Sequence, residues 1–469
     1  MAADLGTMID AYTASHREEM VAELMEWVRH PSVSRADLRT EEAPYGPDVR
    51  EMLTFALNRL SSFGFRTEDH GGYCGSAWYG GAEEEIGFYA HLDVVPEGPN
   101  WIFKPYEPVV KDGFVIGRGA DDNKAAAVLG LYIMRFLKEN GIRLNKSFRL
   151  MMGCAEETGM DDFKTYLQHG GKVPGFGIVA DAGFPVCYAQ KGGWNADILV
   201  PKGKDILEFR AGNVRNAVPG DARMVLRANA DEVIKAFEGA EDITAEDLGG
   251  GRVQITAKGQ GGHAAFPEGT DNAATKLAES AASVLSGSAY DIRGLEFIAK
   301  TFRNPFGEGL GFRYEDEMSG KLSSNAGVFS VENDRIRVLL DIRYPVSADI
   351  HMMTEGFQAL LKENGVLLEK LQIEKPFYID KNDERVRKLQ ESYQEITGRE
   401  DEPYAMGGGT YSRVIPGAIT FGPGLHHDEK PEFLPKGHGG AHGPDEVLHI
   451  ESWLRAYKIY LRSIIRLGQ

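Results

Sequence analysis

The sequence predicts an α/β domain, with a mixed, mainly parallel sheet flanked by helices, that is interrupted by an inserted α+β domain. In the first part of the chain and again near its end, short apolar runs alternate with amphipathic helical patterns. In the middle, strands alternate apolar with polar residues, as half-exposed strands do. With 469 residues the chain is longer than one typical domain. We therefore expect a first domain formed by 1–191 and 376–469, and an inserted domain at 192–375.

The first part opens with a predicted helix from about residue 8 to 30, where Met20, Leu24 and Trp27 recur at helical spacing before Pro31. Further helical patterns cover 51–62 and 123–139. Four apolar runs followed by polar or glycine-rich turns predict strands: IGFYA (86–90), FVIGRG (114–119), FRLMMGCA (148–155) and FGIVA (176–180). Strands that alternate with helices favour a largely parallel sheet.

From about Gly192 the inserted domain is predicted to contain half-exposed strands, a hairpin at 329–336 and helices at 231–238, 271–285 and 347–363. From about 376 the first pattern returns. It predicts a helix at 383–397, a glycine-rich turn at 407–410, the strand AITFG and a closing helix from 445.

Composition excludes several classes of function. The formal net charge of −18 argues against a nucleic-acid partner, because phosphate binding needs a basic face. Three scattered cysteines are not a disulfide framework and suit a reducing compartment. The N-terminal residues are polar and acidic, and no apolar run approaches the ~20 residues that span a bilayer. We expect a cytoplasmic protein with no membrane partner.

Acidic residues and one histidine follow the four predicted strands. Taken singly, each carboxylate could be a helix cap or a solvated loop residue. The carboxyl ends of parallel strands lie on one edge of a sheet, however, so these side chains would gather there and repel one another unless cations neutralise them. We therefore predict a metal site drawn from these residues: His91 and Asp93, Asp121 and Asp122, Glu156 and Glu157, and Asp181.

One imidazole with several carboxylates suits zinc, manganese or cobalt. Two such ions about 3.5–4 Å apart can clamp a bridging hydroxide, provided that a carboxylate lies between them. The adjacent Glu156 and Glu157 can divide the work, since one can bind metal while the other takes a proton from water.

Eight segments in order along the chain resemble the motifs of the two-zinc metallopeptidase family that includes aminoacylase, carboxypeptidase G, acetylornithine deacetylase, succinyl-diaminopimelate desuccinylase and dipeptidases. The length, the large insert, the DAGFPV segment and Asn216 before Val-Pro are most similar to the PepV-type bacterial dipeptidases. The segments are HLDVVPEG (91–98), GRGADDNK (117–124), CAEETG (154–159), VADAGFPV (179–186), GGHAAFPEGTDNAA (261–274), DIRYP (341–345), GGGTYSR (407–413) and AHGPDE (441–446).

The resemblance implies two zinc ions, or manganese or cobalt, and a role for each matched residue. Asp122 would bridge the two metals, so Asp121 would not be a ligand. Asp93 would orient His91, and Glu156 would be the general base. The implied metal ligands are His91, Asp122, Glu157, Asp181 and His442, with His438 as the nearby rival of His442.

The resemblance also makes the inserted domain a lid. A lone loop histidine is usually solvated, but His263 matches the residue that stabilises the oxyanion of the tetrahedral intermediate. Asn216 and Arg343 match residues that hold the substrate's backbone and terminal carboxylate. The glycines of the 407–410 turn would let backbone N–H groups approach that carboxylate: Gly407, Gly408 and Gly409.

Departures from the family pattern are Ala125 after the motif lysine, Gln190 in place of glutamate, and Gly220 in place of aspartate. None of them is a metal ligand, although Gly220 lies at the substrate end. The acidic loop 425–435, with His426 and His427, is assigned no role.

We expect a metal-dependent dipeptidase that cleaves unblocked dipeptides with a metal-bridging water and Glu156 as base. The alternative with the same chemistry is an N-acyl amino acid deacylase of the acetylornithine deacetylase or succinyl-diaminopimelate desuccinylase type. An alternative of another class is a catalytically silent metal-dependent binding protein, against which the presence of Glu156 counts. The only partner expected is a small peptide substrate, and the long insert favours a monomer.

Overall fold

The computed structural model of the chain describes residues 4–285, 291–425 and 431–469, so His426 and His427 lie outside the described residues. The described chain divides into two compact units. The first consists of the chain up to Tyr188 together with Ile379–Tyr404 and Thr410–Gln469. The second consists of Ala189–Tyr378 and the short segment Ala405–Gly409, which is most of the glycine-rich turn.

The α-helices of the described residues are, in chain order, α1 (Leu5–Val28), α2 (Pro47–Ser62), α3 (Lys124–Glu139), α4 (Asp161–Gln168), α5 (Ala230–Ala236), α6 (Ala273–Leu285), α7 (Arg293–Phe302), α8 (Ile350–Glu363), α9 (Glu384–Thr397) and α10 (Ile450–Gly468). No helix among these described residues is long and apolar enough to cross a membrane.

The strands of the first unit up to its connection with the second are β1 (Arg66–Asp69), β2 (Cys74–Tyr79), β3 (Glu85–His91), β4 (Val109–Lys111), β5 (Phe114–Ile116), β6 (Ser147–Gly153), β7 (Phe176–Val179), β8 (Ala182–Gly183) and β9 (Val186–Gln190). The next strands are β10 (Gly192–Pro201), β11 (Ile206–Ala211), β12 (Ala217–Val218), β13 (Asp221–Arg227), β14 (Ile243–Gly249), β15 (Arg252–Lys258), β16 (Gly262–His263), β17 (Glu315–Asp316), β18 (Gly320–Lys321), β19 (Ser323–Glu332), β20 (Arg335–Tyr344), β21 (Leu367–Glu374) and β22 (Phe377–Tyr378). The last are β23 (Tyr404–Met406), β24 (Ala418–Phe421), β25 (Pro423–Gly424) and β26 (Val447–His449).

The main sheet of the first unit runs in the order β1-β2-β6-β3-β7-β24-β9. Its centre is parallel, because β3 pairs in parallel with β6 and β7, and β24 pairs in parallel with β7. Its outer strands β1, β2 and β9 are antiparallel to their neighbours. Helix α3 lies close against this sheet, since a Cβ added at Gly130 would be 2.6 Å from a methyl carbon of Leu150. The predicted α/β class with a mixed sheet is confirmed.

One predicted strand lies in a different sheet from the one expected. The apolar run at 114–116 forms β5, which pairs antiparallel with β4 and β26 in a separate three-stranded sheet. Strand β26 occupies 447–449, so the closing helix α10 begins at Ile450 rather than at 445. The pairing of β5 with β26 places the segment after β5 beside the segment before β26.

The second unit contains an eight-stranded sheet in the order β14-β15-β13-β11-β19-β20-β10-β21. Strands β19 and β20 form the predicted hairpin, and Asn333 at its turn takes the left-handed conformation, with φ of 54°. Leucines, isoleucines and alanines from the sheet and from α6, α7 and α8 pack into one core. Helix α7 was not predicted from the sequence.

Candidate metal centre

His91 is the last residue of β3, and its side chain is almost completely buried. Its Nδ1 lies 2.9 Å from the main-chain oxygen of Asp93. A ring that donates from Nδ1 presents an unprotonated Nε2 to a ligand. The Nε2 atom lies 3.0 Å from Oδ1 of Asp122 and 3.7 Å from Oδ1 of Asp181.

Asp122 has a different histidine near each of its two oxygens. Its Oδ1 atom faces His91, whereas Oδ2 lies 3.0 Å from Nε2 of His442. That same His442 nitrogen is 3.1 Å from Oε1 of Glu157. His442 has a φ of 63°, which is uncommon for a residue other than glycine. Asp122 thus lies between the pair His91 and Asp181 and the pair His442 and Glu157, as a carboxylate that bridges two cations would.

Two groups of described residues bring three potential ligand atoms within 4.8 Å of one another. One group is His91, Asp122 and Glu157, and the other is His91, Glu156 and Asp181. Glu156 is therefore near enough to these residues to be a metal ligand. Neither group of described residues includes Asp121 or His438.

Glu446 holds the segment that carries Asp122. Its fully buried carboxylate accepts hydrogen bonds from three backbone N–H groups, those of Gly119, Asp121 and Asp122, at 2.8–3.1 Å. The guanidinium of Arg118, which is also buried, donates to it at 2.6 Å. Because β26 pairs with β5, Glu446 is brought to this segment from the far end of the chain.

Asn123 connects the ends of two central strands. Its Oδ1 accepts a hydrogen bond from the N–H of His91 at 3.2 Å. Its Nδ2 donates to the carbonyl of Ala180 at 2.7 Å and to Oδ1 of Asp181 at 3.0 Å. This one buried side chain therefore fixes the backbone at His91 and orients the carboxylate of Asp181.

The Asp93 carboxylate, which is completely buried, supports the acidic pair after β6. It accepts hydrogen bonds from the N–H groups of Glu156 at 3.1 Å and Glu157 at 3.0 Å. Its Oδ1 also lies 3.4 Å from Nδ1 of His91. Asp93 therefore contacts the histidine that it was predicted to orient and also positions both glutamates.

The electrostatics of the cluster favour a bound cation. Burial and the charge of Asp122 raise the pKa of Glu157 to about 7. Burial and the charge of Asp181 raise the pKa of Glu156 well above its usual value. Oε1 of Glu157 is buried, and its near neighbour is Nε2 of His442 at 3.1 Å. Carboxylates in this situation become ionised when a cation binds, so the donor set fits a hard or borderline divalent metal.

His438, the rival of His442, has another partner. Its Nδ1 lies 2.6 Å from Oδ2 of Asp445. The buried Asp445 also accepts hydrogen bonds from the N–H groups of Ile102 at 2.9 Å and Phe103 at 2.8 Å. The structure therefore places His442, and not His438, beside Asp122.

In the second unit the structure brings His263 and Asn216 together. Strands β12 and β16 pair, and the N–H of Ala264 donates to the carbonyl of Asn216 at 2.9 Å. Both residues are exposed. Nδ1 of His263 accepts a hydrogen bond from the N–H of Ala265 at 3.1 Å. The neutral ring consequently carries its proton on Nε2, which can donate.

Arg343 lies in the same unit beside the glycine-rich turn. Its guanidinium donates to both carboxylate oxygens of Asp341 at 3.1 Å and to the carbonyl of Gly407 at 3.1 Å. Among the described residues these bonds use three of its five N–H groups, so two can bind an anion. A Cβ added at Gly407 would lie 2.9 Å from Cβ of Ala265, so glycine is required for this approach. Gly408 and Gly409 follow in the same unit.

Several residues that support the site were not identified from the sequence. Asn325 donates to the carbonyls of Arg215 and Ala217, on either side of Asn216, at 2.9 Å each. Asn272 in turn donates to Oδ1 of Asn325 at 3.3 Å. Asn272, Glu446 and Asn123 all lie within the motifs, which is the one sequence signal that could have pointed to them.

Comparison with known proteins places the chain among peptidases. The family model described as peptidase family M20/M25/M40 matches residues 87–466. A relative from Staphylococcus epidermidis, named "Putative dipeptidase", is 29% identical over 96% of this chain and 97% of its own length. A Bacillus subtilis relative given the same description, YtjP, is 27% identical over 97% of this chain and 98% of its own.

Solved structures share the fold. Human carnosine dipeptidase 1 superimposes with a TM-score of 0.59 and 15% identity, covering 99% of both chains. The dipeptidase Dug1p from Saccharomyces cerevisiae gives a TM-score of 0.59 with 14% identity over 99% of this chain and 98% of its own. The aminopeptidase PepT from Bacillus cereus gives 0.58 with 16% identity over 97% and 99%. The predicted resemblance is confirmed.

Proposed function

Because this chain belongs to peptidase family M20/M25/M40 and is a metallopeptidase, we propose that it is a dipeptidase that hydrolyses the amide bond of unblocked dipeptides. The names of its bacterial relatives support this substrate class. The observation that carries the proposal is the position of Asp122 between two histidines, with the acidic pair Glu156 and Glu157 beside it.

The residues around Asp122 would hold two divalent metals, zinc or else manganese or cobalt. His91, Asp122 and Asp181 would bind one, and Asp122, Glu157 and His442 the other. When bound, such cations make a water molecule more acidic and polarise the scissile carbonyl.

Glu156 is the general base in this proposal. It takes a proton from the attacking water and returns it to the leaving nitrogen. Its burial and its raised pKa support this role, because a carboxylate with a higher pKa is a stronger base towards the attacking water. The hydrogen bond from its N–H to Asp93 keeps its backbone in place.

The second unit supplies the substrate-binding groups as a lid. The Nε2–H of His263 donates to the oxyanion that develops on the substrate carbonyl, an interaction worth several kcal/mol in enzymes of this kind. Asn216 holds the substrate backbone. Arg343 and the N–H groups of Gly407, Gly408 and Gly409 bind the terminal carboxylate. The two N–H groups of Arg343 that remain available support this assignment.

We also propose that the protein acts as a monomer in the cytoplasm. Its three cysteines are buried, and Cys74 and Cys154 are free thiols, which suits a reducing compartment.

The test is a substrate panel run on protein reconstituted with zinc, manganese or cobalt. Unblocked dipeptides are compared with the N-acetyl and N-succinyl derivatives of the same amino acids. Preference for unblocked dipeptides by at least about tenfold in kcat/KM is expected, because the acylated amino acids lack the free α-amino group that a dipeptide presents on the other side of the scissile bond. Preference for the acylated amino acids would replace the dipeptidase with a deacylase.

A further inference from the structure

The turn after β6, which carries Glu156 and Glu157, is held by two buried carboxylates. The N–H groups of Cys154 and Ala155 donate to Oδ2 of Asp162 at 2.6 and 2.8 Å. The next two N–H groups, those of Glu156 and Glu157, donate to Asp93. Four consecutive backbone N–H groups are therefore bound by two side chains, and neither carboxylate is exposed.

Asp162 has a third partner on the same oxygen. The hydroxyl of Tyr411 donates to Oδ2 at 2.5 Å, and the N–H of Phe163 donates to Oδ1 at 2.7 Å. Three donors on one carboxylate oxygen leave no room for a cation there. Asp162 is thus an acceptor for the backbone and for Tyr411, and not a further metal ligand.

Tyr411 packs against the backbone at the start of the turn. It is fully buried, and its ring packs edge-on against Phe163 at a centroid distance of 4.6 Å and against His91 at 6.4 Å. A Cβ added at Gly153 would lie 1.9 Å from the Tyr411 hydroxyl and 2.4 Å from Oδ2 of Asp162. Glycine at 153 is therefore needed for the pair to approach the backbone of the turn.

We propose that Asp162 and Tyr411 are positioning residues for Glu156. Asp162 binds the N–H groups of the two residues that immediately precede Glu156, and Tyr411 orients the Asp162 carboxylate. The inference rests on the proposed function, in which Glu156 is the general base. A base must be held to within a fraction of an ångström of the attacking water, so a looser turn lowers the rate of the chemical step while substrate binding is retained.

The experiment compares Tyr411→Phe with the matched control Tyr45→Phe. Tyr45 is also buried, and its hydroxyl donates to the neighbouring acidic residue, Asp161, at 3.3 Å. For each variant, kcat and KM on one dipeptide, bound metal per chain and Tm are measured. Tyr411→Phe is expected to lower kcat about tenfold, with KM within a factor of about two and unchanged bound metal. Tyr45→Phe is expected to keep the wild-type kcat.

Three outcomes would overturn the inference: an unchanged kcat in Tyr411→Phe, an equal loss in both variants, or a loss that follows reduced metal content. A second comparison shows whether Tyr411 acts through the base. In a Glu156→Asp background, where the base is already displaced, Tyr411→Phe should lower kcat by clearly less than in the wild type. A full further tenfold loss there would mean that Tyr411 acts elsewhere and would also overturn the inference.

Two variants distinguish failure of the proposed function from failure of the positioning role. If Glu156→Gln keeps full activity, the proposed function itself fails. If Glu156→Gln is inactive while Tyr411→Phe matches the wild type, only the positioning role fails.

Discussion

At the residue scale, Glu156 has two possible roles. Its carboxylate lies near enough to His91 and Asp181 to bind metal, and its N–H is held by Asp93 next to that of Glu157. In the proposed function Glu156 is the general base, and Glu157 binds metal. Removing its charge while keeping its shape separates the two roles.

Glu156→Gln is expected to lower kcat by about 10²–10⁴-fold, because general-base catalysis contributes rate of this size. Bound metal per chain, measured by inductively coupled plasma mass spectrometry, should stay at the wild-type level. Loss of metal along with activity would make Glu156 a ligand, and full activity would remove it from the mechanism.

Metal binding is expected to depend on pH through His442. Hydrogen bonds to Asp122 and Glu157 raise the pKa of His442 to about 10 when no metal is bound. Metal binds only the deprotonated imidazole, so below that pKa each unit of rising pH increases the available form about tenfold. Competition with a chelator at pH 6.5, 7.5 and 8.5 should show metal affinity rising with pH. In His442→Ala, metal binding should release about one proton fewer, so the logarithm of the metal affinity should rise less steeply with pH. An identical slope in the variant and the wild type would contradict the role of His442.

The motifs indicate the proposed ligands, but they do not show which residues hold those ligands in place. The sequence pattern identifies the proposed ligands because each motif places an acid or a histidine after a strand or in a turn. These residues are His91, Asp122, Glu157, Asp181 and His442. Glu446 and Asp162 look like solvated acids in sequence. Their burial depends on partners that are hundreds of residues away, or on backbone groups across a turn, and no local pattern records such contacts.

At the element scale, the strand before Asp122 shows what sequence pattern cannot resolve. Residues 114–116 are fully buried in β5, so their apolar character is the same whether they join the main sheet or a small separate one. The structure pairs β5 with β26 instead, and this pairing brings the Asp122 segment together with the His442 and Glu446 segment. Asp122 is therefore brought to the other proposed ligands through the small sheet, and not at the end of a strand of the main sheet as predicted.

Glu446→Gln is expected to weaken this connection. The substitution places an amide donor among three backbone donors and the buried Arg118, which then lacks a counter-charge. Breaking a buried ion pair in this way costs about 3–5 kcal/mol. Unfolding in urea should show this loss, together with weaker metal binding. The control is Glu451→Gln. The exposed carboxylate of Glu451 lies 2.9 Å from the guanidinium of Arg17, and its replacement is expected to lower the free energy of unfolding by at most about 1 kcal/mol. Equal losses would contradict the role of Glu446.

At the scale of the whole molecule, the chain passes between the two units at four points: after Tyr188, Tyr378, Tyr404 and Gly409. The first unit contains the proposed metal ligands, and the second contains His263, Asn216, Arg343 and the glycines at 407–409. The proposed mechanism needs groups from both units, so the second unit should close on bound substrate.

Small-angle X-ray scattering with and without a slowly hydrolysed substrate analogue measures this closure. The radius of gyration is expected to fall when the analogue binds, and less so in His263→Ala, which lacks one of the contacts. Identical scattering curves for free and bound wild-type protein would count against a lid.

We propose a two-metal centre, with Asp122 between the metals, that hydrolyses dipeptides. Its most direct test is to strip the protein with a chelator, titrate it with zinc, and follow bound metal and dipeptide hydrolysis together, in the wild type and in Asp122→Asn. The wild type should bind about two zinc ions per chain and regain activity as they bind, whereas Asp122→Asn should hold at most about one tightly and stay inactive. Full dipeptide hydrolysis by the stripped protein, or two tightly bound ions with full activity in Asp122→Asn, would contradict the claim.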